Sequence, residues 1–96
     1  MKPSEALRSH RETIRRLAEQ YHVRNVRVFG SVLHGDDTAA SDLDLLVDPG
    51  LETTLMDLAA MQISLEKLLG VPVDVLTPGD LPARIRQNVL QEARLI

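Results

Sequence analysis

Ser41-Asp42-Leu43-Asp44-Leu45-Leu46-Val47 places two acids two residues apart in an otherwise apolar run, which predicts a β-strand. Side chains at i and i+2 of a strand project from the same face, roughly 6.6 Å apart along the backbone, so both carboxylates converge on one point. Two charges about 6 Å apart repel by about 3 kcal/mol at an effective dielectric of 20. Folding alone is served better by almost any other residue at one of the two positions, whereas a divalent cation reverses the sign of the cost. The pair therefore predicts a metal site. A third acid, Asp74, sits in Val73-Asp74-Val75, and if these strands are neighbours the three carboxylates form one cluster.

Working outward, Val26-Arg27-Val28-Phe29 alternates as a strand and ends at Gly30-Ser31, with room for only a helical turn or two before Gly35. Asp36 to Ser41 reads as a loop, and Asp48-Pro49-Gly50 closes the acid-bearing strand. Ser4 to Tyr21 predicts a helix with Ser4 as N-cap after Pro3, since Leu7, Ile14, Leu17, Ala18 and Tyr21 follow a 3.6-residue repeat. A further helix runs from about Thr54 to Leu69, with Thr54 and Asp57 as a capping box and Gly70 as its stop. Its apolar face is assigned to Leu55, Leu58, Ile63, Leu65, Leu68 and Leu69. Val71 to Leu76 is the third strand, and after Thr77-Pro78-Gly79-Asp80 a last helix carries Leu81, Ile85, Val89 and Ala93. The order predicts an α/β fold: a small mixed sheet of about three strands with helices on one face and the acids on the open face or an edge.

The 96 residues suit one small domain, 1–96, with a single core. Aromatic residues are only 2%, so the core must be aliphatic and stacking platforms for single-stranded nucleic acid are lacking; no direct nucleic-acid binding is expected. There are no cysteines, which excludes disulfides and thiolate ligands. No apolar run approaches the roughly 20 residues of a membrane span, and no signal-peptide core follows Met1, so a soluble cytoplasmic protein is expected with no membrane partner. Residues 1–29 carry seven Lys or Arg against three acids, residues 30–80 one Lys against ten acids, and residues 81–96 three Arg against one acid. The acidic middle suits cation binding. The basic flanks suit an anionic substrate or partner, or are a solvated surface.

Clustered carboxylates are hard oxygen ligands suited to Mg²⁺ or Mn²⁺, and two such ions roughly 3.5 to 4 Å apart are the usual device for in-line phosphoryl or nucleotidyl transfer. Asp74 is the candidate to orient or deprotonate an attacking hydroxyl. Gly30 lets the backbone approach an anion closely, and the N–H groups that follow it, with the Ser31 hydroxyl, suit a terminal phosphate. Ser41 is read as a loop-to-strand residue whose hydroxyl supports the acids. Two rival motifs fail. Gly30 and Gly35 have P-loop spacing, but Asp36-Asp37 follow where Lys and Ser/Thr are required. A calcium loop starting at Asp42 has Val47 in place of Gly and Thr53 in place of Glu. His10 and His22 are read as surface residues.

Phe29-Gly30-Ser31-Val32-Leu33-His34-Gly35, the Ser41-Asp42-Leu43-Asp44 strand and Val73-Asp74-Val75 together resemble the minimal nucleotidyltransferase domain of the DNA polymerase β superfamily. Within it the chain is similar to the MntA-type antitoxins, whose genes accompany a HEPN-type ribonuclease toxin. The resemblance implies a polymerase-β-like nucleotidyltransferase fold and transfer of AMP from ATP to a tyrosine hydroxyl of that toxin, in a hetero-oligomer with it. It also implies that Asp42, Asp44 and Asp74 hold two Mg²⁺ ions and act in catalysis, Asp74 on the nucleophile side. Nucleotide binding falls to Gly30, Ser31, His34 and Ser41. His34 stands where the family often has Arg, so phosphate charge is less fully compensated and pH dependence is expected. Two alternatives stay open: an antitoxin that neutralises its partner by binding alone, and a transferase acting on a small molecule. The latter lacks chain length for an acceptor-gripping domain.

Overall fold

The computed structural model describes residues 1–96. Helix α1 (Pro3–Gln20) leads into β1 (Val23–Phe29), the single-turn α2 (Ser31–His34) and β2 (Leu43–Pro49). Then come α3 (Leu55–Leu69), β3 (Val73–Leu76), a 3-10 turn at Pro78–Asp80, α4 (Ala83–Glu92) and β4 (Arg94–Leu95). The sheet has four strands in the order β3-β2-β1-β4, with β2 and β3 parallel and the other pairs antiparallel. The class is the expected mixed α/β. The strand count is one higher, because β4 is two residues long, exposed, and recognisable only through its pairing with Arg27 and Val28.

Leu43, Leu45 and Val47 of β2, with Val73 and Val75 of β3, face one core, which α1 fills with Ile14 and Ala18 and α3 with Met61, Leu65 and Leu69. The α3 face matches expectation in part. Leu65 and Leu69 are buried and Leu58 packs against the core, but Leu55 is 84% and Ile63 53% exposed, whereas Met61 is fully buried, so the buried stripe runs through positions 61, 65 and 69 at i, i+4 and i+8. Both its faces carry apolar residues, so periodicity alone did not choose between them.

Helices do not leave the second face wholly open. Leu46 is fully buried on the same face as Asp44 but lies outside the main core, and Leu81 is buried at the end of the 3-10 turn, which packs on β2. Arg86 ties α4 to this turn by donating to the carbonyls of Pro78 (2.9 Å) and Leu81 (2.8 Å). The acids occupy the uncovered end, at the beginnings of β2 and β3.

Strand β1 starts three residues earlier than the alternation predicts. Val23 and Val26 are both buried with Arg24 and Asn25 exposed between them, because the register with β2 shifts between Arg24 and Arg27 and Asn25 adopts φ 53°. In β3 ladder pairing begins at Val73, since Pro72 has no N–H to give; its carbonyl still accepts from Leu43 (2.8 Å). The α1 cap also moves: Lys2 is the N-cap and Pro3 occupies the first helical position, which suits its fixed φ. Ser4 is inside the helix, and its N–H donates to Asp37 Oδ2 at 2.9 Å. At α3 the expected reciprocal cap is present, with Asp57 N–H on Thr54 Oγ1 (3.1 Å) and Thr54 N–H on Asp57 Oδ2 (2.9 Å). Gly70 ends the helix in the left-handed conformation. No helix is long and apolar enough to cross a membrane.

Candidate active site

The parallel register sets Asp44 beside Asp74, one strand apart on one face. Burial pushes the Asp44 carboxyl up to about 6, and the charge of Asp74, a hydrogen bond with Asp74 and the charge of Asp42 add to the effect. Near pH 6 and below, Asp44 therefore holds a proton against its neighbour. Asp42 stands one residue ahead of β2 and is exposed. The three acids are not gathered into a ready-made metal triad, because no three acids or histidines lie close enough to hold an ion as they stand. Asp44 and Asp74 lie side by side, while Asp42 stays exposed to water. The donor set still fits a divalent cation. All three are hard carboxylates, and the like charge of Asp74 and Asp42, which adds to burial in raising Asp44, is what a cation relieves.

Antiparallel pairing puts Phe29 opposite Asp44, so Gly30 begins α2 directly against the acid pair. Gly30 has φ 75° and ψ −149°, a region open essentially to glycine alone, and a Cβ there would collide with Asp44 Oδ2. A helix start leaves its first N–H groups unpartnered, and the Ser31 hydroxyl makes no hydrogen bond within the chain. Two expected residues are placed differently. His34 is exposed at the end of α2, where its Nε2 meets Glu92 Oε2 at 3.0 Å. Ser41 braces the preceding loop: its Oγ accepts from Thr38 N–H (2.8 Å) and its own N–H donates to the Thr38 carbonyl (3.0 Å). No hydrogen bond joins the Ser41 hydroxyl to the acids, so its support of them runs through the loop backbone.

Sequence reasoning passed over Asp37. It is the one buried acid of the chain, its carboxyl held below the usual range chiefly by the Ser4 N–H. With Asp36 N–H on the Ser31 carbonyl (2.9 Å), it ties the loop between α2 and Asp42 to the start of α1. The Thr38-x-x-Ser41 spacing is the local signal that could have revealed the lower half of this brace; nothing local signals the Asp37 contact.

Strand-end glycine, open helix start and adjoining acid pair have the chemistry that suits a phosphorylated ligand accompanied by a cation. The family is named by comparison with known proteins: the profile of the nucleotidyltransferase domain matches residues 7–96, and the chain belongs to that family. It is 35% identical to the protein adenylyltransferase MntA of Thermococcus cleftensis, over 90% of this chain and 84% of that one. It is 34% identical to a protein of Methanocaldococcus jannaschii assigned as a protein adenylyltransferase, over 77% and 80% of the two chains. A solved structure described as a minimal nucleotidyltransferase superposes with a TM-score of 0.86 at 43% identity, covering 97% of this chain and 95% of that one. A toxin-antitoxin crystal structure with AMP-PNP shares the fold, with a TM-score of 0.73 at 19% identity over 88% and 69% of the chains.

Proposed function

We propose that this chain transfers AMP from ATP to a tyrosine hydroxyl of a HEPN-type ribonuclease toxin and thereby acts as its antitoxin. The observation that carries the reading is the acid pair Asp44 and Asp74 set against Gly30 at the start of α2. The relatives named as protein adenylyltransferases support a protein acceptor.

Gly30 and Ser31 receive the triphosphate, because the glycine leaves room for close approach and the N–H groups after it neutralise phosphate oxygens. His34 and Ser41 act at its margin, His34 through its ring beside Glu92 and Ser41 by bracing the loop before Asp42. Asp42, Asp44 and Asp74 would hold Mg²⁺, as two ions with Mn²⁺ as substitute, which when bound supply charge neutralisation and acidify the attacking hydroxyl. Asp44 must first lose its proton, so cation and proton compete near pH 6. Asp74 takes the phenolic proton as the tyrosine oxygen forms its bond to the α-phosphorus. The bond between that phosphorus and the bridging oxygen to the β-phosphate breaks, and pyrophosphate leaves.

Intact-mass measurement of a HEPN-type partner incubated with this protein, ATP and Mg²⁺ tests the reading. Increments of one or more AMP units, absent with Asp42→Ala/Asp44→Ala, are expected. The exposed, ungathered position of Asp42 favours one second reading, neutralisation by binding alone. A stable complex with no mass increment would establish that reading instead.

A further inference from the structure

Arg8 and Arg11 of α1 and Arg94 of β4 line one cleft of about 270 Å³, floored by Leu7 and by Val32 and Leu33 of α2. All three arginines are exposed, and none makes an ion pair or a side-chain hydrogen bond. Arg16 of α1 is likewise unpaired but lies outside the cleft, whereas two other nearby arginines are engaged. Arg15 is engaged with Glu12 and the Ile96 carbonyl, and Arg27 with Asp48. A guanidinium presents a planar fork of donors matched to carboxylate, and three unpaired forks around an apolar floor leave both charge and apolar area without a complement.

We propose that this cleft docks an acidic segment of the acceptor protein, an apolar side chain flanked by carboxylates. This rests on the adenylyltransferase reading for the identity of the partner. The volume lies below the roughly 300 to 1,000 Å³ of small-molecule pockets, which suits side chains of a protein segment better than a whole nucleotide. No aromatic residue lines the cleft to stack a base, and its floor is apolar where a nucleic-acid backbone wants a charged track. Charge complementarity selects an acidic partner although the chain as a whole carries −3. The location gives docking a purpose. Val32 and Leu33 belong to the same helical turn that begins at Gly30 and Ser31, so a segment seated here anchors the acceptor beside the phosphate-binding turn.

The test compares the wild-type chain with Arg8→Glu/Arg11→Glu/Arg94→Glu and with the corresponding triple Lys variant, using a purified HEPN-type partner. Calorimetry reads Kd, steady-state transfer reads KM for the partner and for ATP, and thermal unfolding checks that the variants fold. Charge reversal is expected to raise Kd and the partner KM at least about tenfold while kcat and the ATP KM stay within about twofold. The Lys variant, which keeps charge but loses the fork, should fall between, and it supplies the reading if the Glu variant does not fold. Unchanged Kd in a folded charge-reversed chain overturns the proposal, as does failure of the wild type to bind the partner. So does loss of affinity for a single-stranded RNA oligonucleotide with partner binding intact. Binding that is lost on charge reversal in a wild type that performs no transfer upholds docking and removes the adenylyltransferase reading. Transfer with an unchanged partner KM does the opposite.

Discussion

Gly30 and Asp44 are packed so closely that the Asp44 carboxylate occupies the space a side chain at position 30 would need: an added Cβ would overlap Asp44 Oδ2 and lie 3.3 Å from its Cγ. The turn at Gly30 and the acid pair are thus one mechanical unit. Each constrains where the other can sit.

Gly30→Ala is expected to lose at least about 2 kcal/mol of stability, from its glycine-only backbone and from displacement of the Asp44 carboxylate. Transfer should fall with it, by more than the loss of folded protein explains. Gly35→Ala is the matched control. Gly35 has φ 76° but nothing within 4 Å of its Cβ position, so the change should cost about 1 kcal/mol and leave transfer nearly intact. Urea denaturation and initial rates on both variants check this. Equal rate losses would mean that the Asp44 contact is irrelevant.

Asp44 makes metal-free stability fall as pH rises. Its folded-state value of about 6 lies above the unfolded 3.8, so the folded state binds more protons between these values. The contribution is fully present below about pH 4 and lost as pH passes 6. A shift of this size corresponds to about 3 kcal/mol, reduced to about 1 to 2 kcal/mol because the group is partly open to water. Asp44→Asn should therefore be more stable than wild type by that amount at pH 7.5 without metal, and indistinguishable at pH 4. Millimolar Mg²⁺ should close the gap at pH 7.5. Unfolding midpoints at the two pH values decide it; a gap at pH 4 would contradict the assignment.

Asp37 should matter to Asp42. Replacing it by Ala removes the acceptor for Ser4 N–H and frees the loop leading to Asp42. The expected result is a lower unfolding midpoint together with lower kcat, both partly restored by Asp37→Asn, which keeps an acceptor oxygen. Proton exchange at the Ser4 amide, measured by NMR, should accelerate in Asp37→Ala. No acceleration would show that the bond does not form in solution.

Asp48 holds the β1 bulge. Its carboxylate accepts from Asn25 Nδ2 at 2.8 Å and Arg27 Nη2 at 2.6 Å, and these partners keep its pKa below the usual carboxylate range. The stabilisation is present above the unfolded value near 3.8 and lost as pH falls through the lower folded value. Asp48→Ala should cost about 1 to 3 kcal/mol at pH 7 and progressively less below pH 4. A pH-independent difference in denaturation midpoint would rule this out.

The strands around Asp44 and Asp74, the caps at Thr54 and Gly70, and the turn at Gly30 were legible in the sequence because each depends on residues a few positions apart. A strand's period of two put Asp42 and Asp44 on one face, and like-charge repulsion made their pairing informative without any structure. Tertiary structure alone decided what those acids meet. The β2–β3 register brought Asp74 to Asp44 and left Asp42 in water, and burial there raised Asp44 to about 6. It also decided which apolar face of α3 is core, since both faces read as apolar. Strand β4, the Asp37 contact with Ser4 and the pairing of His34 with Glu92 were hidden for the same reason. Each joins residues tens of positions apart, and desolvation, register and charge proximity exist only once the chain has closed on itself.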